Sequence, residues 1–157
     1  MNKKLKIKNK YLISLCDWLN NLQLIGEYSR ERVHFIESCI ARINEIESKK
    51  KEITAKYVEK DKDGNWMKKQ IGERFFWSIP DDRIDDFNNE FNAIGEEEFI
   101  MEIENGEVDL RKIRKLILET DYKFGPAEND SIAVKQYKAR FTNDYVKWCE
   151  SFELFGA

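Results

Sequence analysis

Between Ser29 and Lys60 the chain holds neither glycine nor proline, so nothing in that stretch stops a helix once it has begun. Ser29 is placed to cap its start. The apolar stripe keeps heptad spacing, with Ile36, Ile43 and Tyr57 at one position and Cys39, Ile46 and Ile53 at the other. Lys50 fills the remaining slot and weakens the seam. At 1.5 Å per residue such a rod is about 45 to 50 Å long, longer than a small domain is wide. Either other elements pack along it or its far end projects.

The remaining elements are shorter. Leu5 to Lys8 alternates apolar and basic residues, the pattern of a short edge strand guarded by lysines. Leu12, Leu15, Cys16, Leu19 and Leu22 then follow at helical spacing, and Gly26 ends that run. Asp61 to Asn65 reads as a turn, and two β-prone runs, Trp66 to Gln70 and Phe75 to Ile79, flank Gly72 as a hairpin. Pro80 and Asp81 open a third helix, whose Ile84, Phe87, Phe91 and Ile94 share one face. From Glu98 to Glu104 the period changes to two, with Phe99, Met101 and Ile103 on one side, which is a half-exposed strand. Asn105-Gly106 is a tight-turn signal, and Asp109 can cap a basic helix with Ile113, Leu116 and Ile117 inside. The last helix sets Val134, Tyr137, Phe141, Tyr145, Trp148, Phe152 and Phe155 at three- and four-residue steps. The fold class expected is α+β: one mostly helical domain over residues 1–157, with a long central helix, a C-terminal aromatic helix and a small antiparallel sheet. The one linker candidate is Glu119 to Asp130, which holds Gly125-Pro126.

A chain of 157 residues is the usual size of one domain. Charged residues make up 36 % of it, against a typical ~25 %, but 13 % are aromatic, which excludes a disordered chain. Cys16, Cys39 and Cys149 are scattered within apolar stretches, so neither a disulfide framework nor a zinc site is expected. The basic start is followed by apolar positions broken by Asp17, Asn20 and Asn21, unlike a signal peptide. No run reaches the ~18 apolar residues of a membrane span, so a soluble, intracellular protein without membrane partners is expected.

Charge is segregated along the chain. From Asp81 to Asp109 twelve carboxylates face one base, Arg83, for a net −11, while the whole chain carries −3. Summed charge of this kind bears on partners and solubility rather than on fold. One reading is a solvated helix and strand face. The sharper one is a surface that imitates a phosphate backbone and docks into the basic groove of a nucleic-acid enzyme. The aromatic helix likewise reads first as core, and alternatively as an exposed partner or dimer face.

Chemistry-bearing motifs are weak. Asp61-x-Asp63-x-Asn65 imitates the opening of a calcium loop, but the sixth position holds Trp66 and the twelfth Gly72, where glycine and a bidentate glutamate are needed. The acidic run has neither the neighbouring lysine nor the second acidic cluster of a metal nuclease. His34, the only histidine, has no nucleophile or carboxylate at recognisable spacing. No glycine-rich phosphate loop occurs. The basic groups Lys3 to Lys10, Lys49 to Lys51 and Arg111 to Lys115 lie on three separate elements of an acidic chain, so nucleic acid is not the expected partner. No metal, no cofactor and no catalytic residue is expected.

Four segments carry a resemblance: Leu5-Lys6-Ile7-Lys8-Asn9-Lys10, Ser29-Arg30-x-Arg32, Lys56-Tyr57-x-x-Lys60-Asp61-Lys62-Asp63-Gly64-Asn65 and Phe87-Asn88-x-x-Phe91-Asn92. Over about residues 5 to 118 the chain resembles an uncharacterised family of small proteins encoded by phages and prophages of Gram-positive bacteria. The resemblance implies a phage context, the host cytoplasm as location and no housekeeping enzyme activity. It implies no residue roles. The expected function is therefore a non-catalytic protein-binding module, specifically an inhibitor of a host defence or nucleic-acid enzyme. The expected partner-binding residues are Asp81, Asp82, Asp85, Asp86, Glu90, Glu96, Glu97, Glu98, Glu102, Glu104, Tyr145 and Trp148. The competing expectation is a late-module assembly protein that meets virion proteins and forms a homo-oligomer through its helices.

Overall fold

The computed structural model describes residues 4–22, 24, 26–102, 109–119 and 131–156. Its elements run β1 (Lys4–Lys8), α1 (Asn9–Asn21), α2 (Glu27–Tyr57), β2 (Lys68–Ile71), β3 (Arg74–Trp77), α3 (Ile84–Glu96), β4 (Glu98–Glu102), α4 (Leu110–Glu119) and α5 (Ile132–Gly156), with a 3-10 turn at Asp81–Arg83 before α3. The protein is α+β and mainly helical, with one long helix and two small antiparallel sheets, β1–β4 and β2–β3. Two compact units divide the chain: Met1–Arg42 with Glu98–Ala157, and Ile43–Glu97. Helix α2 gives its first half to one and its second half to the other. The candidate tight turn at Asn105-Gly106, and the linker candidate beyond Glu119, lie outside the described residues.

The first unit holds most of the core. Leu5 and Ile7 of β1, Leu12, Leu15, Cys16, Trp18 and Leu19 of α1, and Phe35 and Cys39 of α2 are buried. So are Leu110, Ile113 and Ile117 of α4, and Phe141, Trp148, Phe152 and Phe155 of α5. The stripe on α5 thus faces inward at Phe141, Trp148, Phe152 and Phe155. Trp148 stacks at 5.4 Å on Trp18, and its indole N–H donates to the Tyr11 carbonyl at 2.9 Å. Burial of both the ring and its polar handle explains why an aromatic rather than an aliphatic residue stands here.

Register in the β1–β4 sheet follows charge as well as hydrophobicity. Lys4 lies opposite Glu102 and Lys8 opposite Glu98, while Leu5 faces Met101 and Ile7 faces Phe99. Opposite charges directly across a strand pair favour this register over a one-residue slip, which would also turn Leu5 and Ile7 to solvent.

Ser29 does not cap α2. The helix starts two residues earlier, at Glu27, and the Ser29 hydroxyl accepts a bond from Arg32 Nη2 at 3.3 Å. Arg32 also donates to the carbonyls of Leu19 and Leu22. A cation on the C-terminal carbonyls of α1 satisfies groups the helix leaves open and complements its dipole.

In the second unit, residues 59–67 reverse the chain after α2. Asp61 Oδ1 accepts the N–H groups of Asp63 and Asn65, both at 2.9 Å, and Gly64 takes a φ of 81°. This is an Asx-type turn, with the carboxylate spent on its own backbone, so the calcium-loop imitation has an ordinary conformational cause. Gly72 then opens the β2–β3 hairpin at φ 64°, the left-handed first position that a type II′ turn reserves for glycine.

Candidate functional site

The acid of residues 81–109 is not one surface. Asp81 to Glu97 belong to the second unit and Glu98 and Glu102 to the first, while Glu104 and Glu107 lie outside the described residues. Several of these carboxylates are engaged within the protein. Glu102 binds Lys4 at 2.7 Å and Glu97 binds Lys49 at 3.1 Å. Asp109 accepts the Arg111 backbone N–H at 3.1 Å and pairs with its guanidinium at 3.0 Å, capping α4 as its position predicts. Glu98 is exposed and faces Lys8 across the strands, and Glu96 is exposed on α3.

Glu90 holds two partners at once. One oxygen, Oε1, takes the ammonium of Lys56 at 2.7 Å and the hydroxyl of Tyr57 at 2.6 Å. The Lys56 hydrogen bond, followed by that of Tyr57, holds the Glu90 carboxyl below the usual glutamate range. Glu90 in turn raises both partners. Arg83, the one base of the segment, lies 4.4 Å over the Tyr57 ring, and Phe87 meets the same ring edge-on at 5.9 Å. Glu90 therefore ties α2 to α3 through Lys56 and Tyr57.

What remains is the head of α3. Asp81 and Asp82 in the 3-10 turn and Asp85 and Asp86 in the first helical turn are exposed, and no ion pair engages them among the described residues. Their place is physically economical, since carboxylates at a helix N-terminus are favoured by the dipole. They form a short anionic run over the 3-10 turn and the start of α3.

Tyr145 and Trp148 do not form an open docking face. Trp148 is fully buried. Tyr145 is half-buried, its hydroxyl donates to the Ile117 carbonyl at 2.7 Å, and burial, then the Cys149 thiol, push it up to about 12. Both residues join α5 to its neighbours in the first unit.

A groove that sequence reasoning missed lies within the second unit. It measures about 580 Å³ and is lined by Trp66, Phe76, Trp77, Ile79, Phe87 and Phe91, with Glu47, Lys50, Lys51 and Thr54 of α2 along one side. Every residue of β2 and β3 is exposed. The available signal was Phe75-Phe76-Trp77: consecutive aromatics in a two-stranded ribbon place large apolar rings on both faces. Lys68 sits 5.3 Å over Trp77 and Lys50 5.3 Å over Phe91. No group of three or more metal-ligating side chains occurs among the described residues. His34 is exposed on α2. No helix among them is long and apolar enough to cross a membrane.

No family model matches the chain, and no curated protein and no solved structure matches it. The residues themselves carry the functional reading.

Proposed function

We propose that the protein is a non-catalytic, phage-encoded protein-binding module that inhibits a nucleic-acid or host-defence enzyme by presenting carboxylates to its basic groove. The observation that carries this reading is the head of α3, where Asp81 and Asp82 of the 3-10 turn and Asp85 and Asp86 of the first helical turn stand exposed. The other candidates contribute less, because Glu90, Glu97 and Glu102 are tied to Lys56, Lys49 and Lys4. The phage context rests on the family resemblance of residues 5 to 118.

The test is capture of partners by tagged protein from lysate of an induced lysogen, washed at low and high salt. A nucleic-acid or defence enzyme that high salt releases, and that the fourfold change of Asp81, Asp82, Asp85 and Asp86 to Lys fails to capture, supports the reading, because contacts between exposed charges are screened by salt. Unchanged capture by that variant, with helicity intact, removes it.

A second reading, an assembly protein that oligomerises, is favoured by Val33 and Ile40, exposed one heptad apart on α2. It predicts a salt-resistant homo-oligomer that Val33→Asp with Ile40→Asp converts to monomer.

A further inference from the structure

We propose that the aromatic groove of the second unit is a docking site for a protein segment carrying an apolar or aromatic anchor beside one or two carboxylates. This goes beyond the acidic-patch reading, uses different residues and can fail independently of it.

Exposure is the first argument. Of the rings that line the groove, Phe76 is 49 % and Trp77 43 % exposed. A two-stranded ribbon is marginal on its own, and clustered apolar side chains open to water mark interaction surfaces. The volume, about 580 Å³, falls inside the roughly 300–1,000 Å³ range of sites that enclose an apolar group.

Charge selects the occupant. Cations flank the rings: Lys50 and Lys51 on the α2 side, and Lys68 over Trp77. Lys51 is exposed and has no ion pair among the described residues, whereas Lys50 reaches Glu47 only at 3.8 Å. A basic segment would leave these ammonium groups opposed by like charge. Single-stranded nucleic acid could stack on the rings, but it carries a phosphate at every nucleotide. The helix that supplies Phe87 and Phe91 also carries Asp85, Asp86 and Glu90, and Glu47 stands among the lining residues. A peptide can place its few carboxylates at the lysines alone and meet the rest with apolar atoms. Its anchor would occupy the space between Phe76, Trp77 and Phe91.

The experiment uses the full chain and four synthetic probes lacking tryptophan: a peptide of Phe and Leu interspersed with Asp, its counterpart with Lys in place of Asp, an uncharged Ser version, and oligothymidylate. Binding is followed by the indole N–H signals in nitrogen-15 correlation spectra. Trp66 and Trp77 report the groove, and Trp18 and Trp148 report the intact core of the first unit. The expected result is saturable binding of the acidic peptide that shifts Trp66 and Trp77 and leaves Trp18 and Trp148 in place. Phe76→Ser should weaken it about tenfold or more, as loss of an interface anchor does, and Lys50→Glu with Lys51→Glu should weaken it as well. Equal binding of the Lys or Ser peptide, binding of oligothymidylate alone, unchanged affinity in both variants, or no binding of any probe would each overturn the proposal. So would a concentration-dependent dimer that Phe76→Ser abolishes, for then the occupant is a second copy.

Discussion

Removing the indole of Trp148 takes away a ring packed on Trp18, Phe141 and Tyr145 together with the hydrogen bond to Tyr11. Trp148→Ala should therefore lower stability by about 3 to 5 kcal/mol in urea denaturation. Trp148→Phe keeps most of the packing and loses chiefly the hydrogen bond, a cost of about 1 kcal/mol. A loss under about 1 kcal/mol for the alanine variant would contradict the buried position. Glu90 gives a pH signature. Its folded carboxyl is lowered, so its contribution is complete above the ordinary value of about 4.3 and fades as pH falls through the folded value. Tyr57 and Lys56 are raised, Glu90 being the first cause of each, so their share is present below their ordinary values of about 10 and is lost as pH rises through the folded ones. The stability difference between the wild type and Glu90→Gln, read from denaturation at stepped pH, should be broad at neutrality and close at both ends. A difference independent of pH would mean that the tie to Lys56 and Tyr57 does not form.

Among the elements, α4 depends most visibly on one capping residue. Desolvation opposes ionisation of Asp109, yet its bonds to the side chain and backbone of Arg111 hold it lowered overall. Asp109→Ala should cost about 1 kcal/mol, as caps generally do, with the loss measured by thermal unfolding. The β2–β3 hairpin lies at the other extreme: both strands are open to water, and its amides should exchange with deuterium faster than those of α1 and α5. Most elements were legible in the sequence because their signal is local. Period two marked Leu5 to Lys8 and Glu98 to Glu104, period 3.6 marked α1, α3 and α5, and Gly72 marked the hairpin. The start of α2 was not, because Ser29 has cap chemistry while its neighbours already helix from Glu27. Nor was the disposal of acid, since Glu97 finds Lys49 across 48 positions and Glu90 finds Lys56 across 34. No window along the chain contains both partners of such a tie. Pairing of Glu90, Glu97 and Glu102 within a −11 segment is therefore a tertiary fact.

At the scale of the whole molecule, the two units differ in how they are filled. Among the described residues the first buries Trp18, Phe35, Phe141, Trp148, Phe152 and Phe155, whereas the second buries only Ile46, Thr54, Tyr57, Val58 and Ile94. The chain leaves the first unit after Arg42 and returns at Glu98, and these two points are neighbours. Arg42 Nη2 donates to the Glu98 carbonyl at 3.5 Å, its Nε donates to Asn9 Oδ1 at 3.0 Å, and its guanidinium lies 5.9 Å from the Phe99 ring. A glycine-serine bridge of about four residues spans the gap, at roughly 3.3–3.6 Å per residue. Replacing Ile43–Glu97 by such a bridge should leave a folded protein, with the near-ultraviolet dichroism of Trp18 and Trp148 retained. Loss of that signal would show the first unit to be dependent on the second. Residues 43–97 thus leave and rejoin the first unit at neighbouring points of the chain. A folded deletion would make their length and chemistry free to change while the scaffold that carries them stays as it is.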